Sequence, residues 1–363
     1  MGLDAARYEA IDPLATGFDA VRAAFTNQVA YCRDNGAPDT ALVCHALGEL
    51  LDGERGGATM ARIRAWAGAP LADALPLRIA GGLHALHLAG TEPGLAPIYR
   101  GAQPADATER VAAALEAHDQ VLQAWLDGPP QTNEAGRSWA FAAAMLWLAE
   151  HGCPPLFALF ELGSSAGINL MMDRYRFDLG GVEAGPESAR IRIAPAWRGA
   201  PPPAQGFAIA SAEGCDVAPV DLADPAQALR LRAYIWPELT ARFARMDAAV
   251  ALAHADPPAI RRQPAGDFVA EVLARPAPAG VTRMIAHSVV WQYIPANERR
   301  TIAELIEAAG VRATPEAPLA WVMLEANRDT HRHELTLRWW PGGSNPRKLA
   351  TAHPHGDWVK WDG

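Results

Sequence analysis

From Pro154 onward, short apolar runs of strand length alternate with segments of helical period, and this restricts the fold more than any other feature of the chain. Strands separated by helices pair in parallel, because the crossover carries the chain back to the same end of the sheet. FALFELG reads as a first strand entering a glycine turn, with the apolar INLMM after it suited to a helix. A polar insertion rich in Gly and Pro follows, from about Asp178 to Gln205. FAIASAEGCD, AIRRQPAGD, VTRMIAHSVV and LAWVMLE read as the next four strands. Asp224 is placed to cap a long helix with Pro225 at its first position, and RRTIAELIEAAG reads as a helix closed by Gly310. HELTLRWW and KLATAHPHGDWVKW flank PGGSN and are expected to close the sheet as an antiparallel pair.

Residues 1–150 have a different texture. Phe18, Val21, Phe25, Val29 and Cys32 recur at helical steps, ALPLRIAGGLHALHLAG and SWAFAAAMLWLAEHG are further apolar segments, and nothing alternates as a strand does. The expectation is therefore an all-α domain over 1–150 that caps a cleft and helps bind substrate. Behind it, 151–363 form an α/β domain with a mostly parallel seven-stranded sheet ending in an antiparallel hairpin. A chain of 363 residues, half of them hydrophobic, has enough apolar surface for two cores.

A net charge of -9 argues against general nucleic-acid binding, which needs a basic face. Cys32, Cys44, Cys153 and Cys215 show no metal or redox spacing and suit a reduced compartment. The N-terminus lacks the pattern of a secretory signal, and no stretch has the ~18 apolar residues that span a bilayer. A soluble, cytoplasmic protein acting on a small molecule, away from membranes, is expected. The sequence leaves its oligomeric state open.

The candidate site centres on Glu161-Leu-Gly163-Ser164-Ser165-Ala-Gly167, at the junction of the first strand and its helix. Glycine there permits a tight turn and close approach to a ligand, helix N–H groups attract anionic atoms, and an acid at the strand end can take a ribose hydroxyl or an amino group. Asp216 closes the second strand and Asp267 follows the third; each could equally be a turn or cap residue. The fourth strand ends in His287 and Ser288, followed by Trp291 and Tyr293. Ligands of open α/β sheets sit at strand carboxyl ends, so His287 could take a proton, with Tyr293 beside it and Trp291 packed on a ring. Asn133, Glu134 and Arg137 either cap the next helix or reach over the cleft to orient a substrate. His331, His333, His353 and His355 could in principle hold zinc, but without a supporting Cys or carboxylate motif they read as surface residues and no metal is expected.

The Glu161–Gly167 segment resembles motif I of the class I S-adenosylmethionine-dependent methyltransferases, with Ser165 in place of the middle glycine. The strand order is similar to that of their Rossmann-like fold. The resemblance implies S-adenosylmethionine across Glu161, Gly163, Ser164, Ser165 and Gly167, Asp216 on its ribose, Asp267 near its adenine and Ser288 alongside. QTNEAGRS, ELGSSAGINLMMDRYRFDLGG, EGCDVAPVD, AHSVVWQY and WWPGG…HPHGDWVKW together resemble an uncharacterised bacterial family, domain of unknown function 2332, which implies no activity.

Gly163-Ser-Ser165-Ala-Gly167 also fits G-x-S-x-G, the nucleophile elbow of α/β hydrolases. Ser165 would then attack an ester, with His353 or His355 as base and Glu325 or Asp329 as acid. The helical first half lacks the strands and oxyanion loop that such a hydrolase needs. A nicotinamide-dependent oxidoreductase is disfavoured by the glycine spacing. A ligand-binding protein without chemistry is the remaining reading.

Overall fold

The computed structural model describes residues 12–327, 329–330 and 332–363, and of Ser344 the backbone alone. It resolves into two compact units: one runs to Thr132 and takes in Asp224–Ala244, and the other comprises Asn133–Ala223 and Arg245–Gly363.

The first unit is helical. It contains α1 (Phe18–Asp34), α2 (Pro38–Glu49), α3 (Gly57–Arg64), α4 (Leu75–Leu88), α5 (Ala96–Tyr99), α6 (Ala107–Ala117) and α7 (Asp119–Gln123). From later in the chain comes α9 (Pro225–Ala233), whose N-cap Asp224 accepts the N–H groups of Ala226 and Gln227. Val21, Phe25 and Cys32 are the buried members of the periodic face of α1. α4 lies close to its neighbours because of its glycine pair: a Cβ on Gly81 would stand 2.6 Å from the Tyr234 ring, and one on Gly82 would stand 2.8 Å from Leu122.

The second unit is built on a sheet. Its helices are α8 (Ser138–Glu150), α11 (Ala265–Ala274) and α12 (Ala296–Gly310), and α10 (Thr240–Ala255) contains the residue at which the units divide. The central strands are β1 (Leu156–Leu162), β6 (Ala208–Asp216), β7 (Ala259–Arg262), β8 (Thr282–Ser288) and β9 (Leu319–Asn327). β10 (Arg332–Trp340), β11 (Gly343–Ala352) and β12 (Trp358–Trp361) follow. β2 (Arg176–Leu179), β3 (Val182–Ala184), β4 (Arg192–Ile193) and β5 (Ala196–Arg198) come from the polar insertion.

The main sheet runs β5-β12-β11-β10-β9-β8-β1-β6-β7. β1 pairs in parallel with β6 and β8, β6 with β7, and β8 with β9. β9, β10, β11 and β12 pair antiparallel in succession. The five strands read from the sequence therefore lie in the spatial order third, second, first, fourth, fifth. The order in which successive strands are added reverses between β1 and β8, the switch point where ligands of such sheets bind.

Among the described residues the sheet has nine strands where seven were expected. KLATAHPHGDWVKW is not one arm but β11 and β12, broken by a turn containing Pro354 and the positive-φ Gly356. The insertion supplies β5, whose Trp197 packs on Trp361, and a separate three-stranded sheet of β3, β2 and β4. α8, grouped above with the helices of 1–150, falls in this unit. It is buried from Ser138 to Leu148 and contacts β2 and β9, the setting that a helix apolar on every side requires. Gly310 is the last residue of α12 rather than a left-handed cap; a Cβ there would meet the Trp340 indole at 2.4 Å.

Strand alternation positions the site. Phe160 and Leu162 share a core with Phe268, Val269 and Val272 of α11 and Ile302 and Ile306 of α12. Glu161, between them, is turned to the opposite face, where it is 1% exposed.

Candidate functional site

The turn after β1 is held in a left-handed course at three positions. Gly163, Ser165 and Gly167 have φ of 67°, 53° and 69°, and serine adopts this region at a cost that glycine does not. Ser164 points inward: its N–H donates to the Cys215 carbonyl at 2.9 Å and its hydroxyl to the Glu161 carbonyl at 3.1 Å. Gly214 leaves room for that hydroxyl, since a Cβ there would lie 1.9 Å from Ser164 Oγ. The backbone N–H of Ser165 donates to Asp216 Oδ2, so the acid at the end of β6 fixes the turn at the end of β1.

The glycines serve close packing. A Cβ on Gly163 would stand 2.3 Å from Val290 Cγ2, and one on Gly167 would stand 2.7 Å from Pro258 Cγ. The segment after the turn, Ile168–Arg174, is a 3-10 helix rather than an α-helix. Its first N–H is taken by Asn133 Oδ1 at 3.0 Å.

Glu161 is the electrostatic focus. Asn169 Nδ2 donates to its Oε1 at 2.7 Å, whereas its buried Oε2 has no hydrogen-bond partner among the described residues. The buried Ser165 Oγ and Asn169 Oδ1 also lack partners. Burial pushes the Glu161 carboxyl up to about 8; the Asn169 hydrogen bond and the charge of Arg137 oppose the rise, and Asp216 adds to it. Three buried polar atoms without partners among the described residues thus lie at the switch point: Asn169 Oδ1 can only accept, while Ser165 Oγ and the protonated Glu161 Oε2 can also donate. Asn169 lies in INLMM, a run read from sequence only for its apolar residues.

Asn133 braces this turn, and Glu134 and Arg137 fix the segment that carries Asn133. Glu134 Oε1 accepts the N–H of Gly136 at 2.9 Å and Nε of Arg245 at 2.8 Å. Arg137 Nε donates to the Pro354 carbonyl at 2.9 Å. Gly136 and Gly356 interlock: a Cβ on the first would meet the His355 carbonyl at 2.5 Å, and one on the second would meet the Gly136 carbonyl at 2.5 Å. TNEAGR and HPHGD, far apart in sequence, are one structural piece.

The end of β8 is held equally firmly. His287 is fully buried; Trp321 Nε1–H donates to its Nε2 at 3.1 Å, which places its proton on Nδ1, 2.7 Å from Glu325 Oε1. With both ring nitrogens engaged, the imidazole is positioned to orient Glu325 and to support Trp291, which stacks on it at 4.7 Å. Glu325 Oε1 also accepts the N–H groups of Val290 and Trp291, at 3.1 and 3.2 Å. Ser288 is buried at the strand end, and Tyr293 is 71% exposed beyond it.

Asp267 is exposed in the first turn of α11, beyond β7, whose Arg262 pairs with Asp216. His331 lies outside the described residues. His353 and His355 sit in the turn between β11 and β12, not on one strand face, with rings 5.6 Å apart and His353 Nδ1 3.0 Å from Asp357. Among the described residues, no three His, Cys, Asp or Glu side chains are grouped to hold a metal. Nor is any helix among them long and apolar enough to cross a membrane.

A family model described as an uncharacterized protein conserved in bacteria (DUF2332) matches residues 22–361. Nothing matches the chain among the curated proteins or among the solved structures.

Proposed function

The chain belongs to the DUF2332 family, and from that premise we propose that the β1/β8 switch point of its second unit binds S-adenosylmethionine for methyl transfer to a small molecule. The observation that carries this reading is Glu161: a buried carboxyl with an unpartnered oxygen, at the carboxyl end of the central strand, beside the unpartnered Ser165 hydroxyl and Asn169 carbonyl. Unsatisfied buried polar groups are costly, and a ligand presenting hydroxyl or amino groups satisfies them. When bound, S-adenosylmethionine would supply an electrophilic methyl group to an oxygen or nitrogen nucleophile.

The fit has one departure from the motif it resembles. The space beside Gly163 is taken by Val290, so the glycine backbone is covered in this conformer. Asp216 retains a place on the ribose, since each of its oxygens has further acceptor capacity beyond the N–H groups of Ser165 and Ala218. Asn133, Glu134, Arg137 and His287 hold the walls of the site in place. A -9 chain suits a small substrate better than a nucleic acid.

The test is isothermal titration with S-adenosylmethionine and S-adenosylhomocysteine, for wild type and Glu161→Gln. Binding by the wild type, weakened about tenfold or more by the exchange of one buried hydrogen-bond partner, supports the assignment. No heat from either compound rejects it.

One observation favours a serine hydrolase instead: Ser165 is strained at a strand end, as a nucleophile elbow is. Yet among the described residues its Oγ has no imidazole partner, and Glu325 is committed to His287. Labelling of Ser165 by a fluorophosphonate, abolished in Ser165→Ala, would revive that reading.

A further inference from the structure

We propose that Val289–Tyr293 is a latch over the glycine turn, shut in the conformer described, which must swing away before a ligand can reach the backbone of Gly163. The proposal rests on the reading of that turn as a ligand loop, and it adds how access to the turn is controlled.

The latch carries its own strain. Val289 has φ of 54°, a left-handed conformation that β-branched side chains all but avoid, because Cβ then crowds the following carbonyl. Such a residue persists only where its surroundings impose it. The imposing contacts are few. Val289 N–H donates to the Leu324 carbonyl at 2.9 Å, and Val290 and Trp291 both donate to Glu325 Oε1. One carboxylate oxygen thus holds two consecutive amides of the segment as well as His287 Nδ1. The ring of Trp291 rests on His287, while Gln292 and Tyr293 beyond it are exposed.

The closed segment covers the feature that makes the turn fit for a ligand. Val290 Cγ2 occupies the volume that the absent Gly163 side chain leaves. A ligand approaching that backbone and the Val290 side chain compete for one space. Opening releases the strain at Val289 and breaks the two N–H hydrogen bonds to Glu325, so opposing terms set the balance, and a ligand selecting the open state shifts it.

Two substitutions push the balance in opposite directions. Val290→Ala removes two half-buried methyl groups that pack on Gly163 in the closed state only and should raise the open fraction by about threefold to fivefold. Val289→Gly relieves the left-handed strain of the closed state; this outweighs the added freedom of glycine in the open state and should lower the open fraction about threefold or more. Amide hydrogen exchange of Val290 and Trp291 without ligand reads opening directly, and titration with S-adenosylmethionine reads its consequence. Faster exchange and tighter binding in Val290→Ala, with slower exchange and weaker binding in Val289→Gly, support the latch. Exchange that both changes leave alone, or move the same way, overturns it. Opposite exchange shifts with no binding in any variant reject the cofactor and leave the latch standing. Equal dissociation constants in all three proteins reject the latch and keep the cofactor.

Discussion

The backbone N–H of Ser165 donates to Oδ2 of Asp216 at 2.9 Å, which ties the turn after β1 to the end of β6. The other oxygen accepts the N–H of Ala218 at 2.8 Å. One side chain therefore organises two neighbouring loops at the carboxyl edge of the sheet.

Replacing Asp216 with Ala should leave the amide of a left-handed serine unpaired. The expected loss is about 1–3 kcal/mol, the cost of an unsatisfied, partly buried donor. Asp216→Asn keeps an acceptor and should lose less. Urea unfolding of both variants checks this. Equal midpoints for Asp216→Ala and wild type would show that other contacts hold the turn.

Glu161 should make the protein less stable as pH rises. Its carboxyl ionises near 4.5 in an unfolded chain and at about 8 in the fold. Between those values the folded state keeps a proton that the unfolded state has lost. Stability is thus full below about pH 4.5 and declines toward pH 8, by roughly 3–5 kcal/mol for this group alone. Glu161→Gln, neutral throughout, should flatten that slope in unfolding free energies measured from pH 5 to 8.5. A slope identical to wild type would mean that Glu161 is ionised in the fold at neutral pH.

Much of this architecture is legible in the sequence, and what is hidden has identifiable causes. β1, β8 and β9 declare themselves because both of their faces are covered, which leaves each a nearly continuous apolar run, whereas β6 and β7 are largely exposed and carry a weaker signal. Glu161 stands out as the acid at the end of such a run. β5 does not, because a three-residue edge strand inside a Pro- and Gly-rich stretch is made by Trp197 meeting Trp361, a contact between residues far apart in the chain. Gly163 and Gly167 invite a ligand when read locally, yet their neighbours are Val290 and Pro258. The engagement of both nitrogens of His287 is invisible for the same reason: Trp321 and Glu325 come from the adjacent strand.

His84 gives the helical unit the opposite pH response. Burial lowers its imidazole to about 4 against an ordinary 6.5, helped by the charges of His87 and Arg232 and opposed by its bond to the Ala233 carbonyl. The neutral ring is the folded form, so its contribution is present above pH 6.5. It is lost as pH falls toward 4, where the unfolded chain takes up the proton first; the effect is roughly 3 kcal/mol. Replacing His84 with Gln should reduce the acid sensitivity of α4 amides in hydrogen exchange between pH 6.5 and 4.5. An unchanged pH response would exclude this imidazole as the source.

The contact between Gly163 and Val290 should appear as a coupling energy. Gly163→Ala sets a methyl 2.3 Å from Val290 Cγ2 in a backbone with φ of 67°, so both a clash and left-handed strain oppose it. A loss of about 2–4 kcal/mol is expected from the two together. Val290→Ala alone should cost about 1–2 kcal/mol for its two methyl groups. In the double variant the colliding Cγ2 is gone while the strain remains, so the combined loss should fall short of the sum by about 1 kcal/mol or more. Denaturant unfolding of the four proteins measures this difference. Strict additivity would mean that Gly163 is required only for its backbone angle, and that Val290 can move aside without cost.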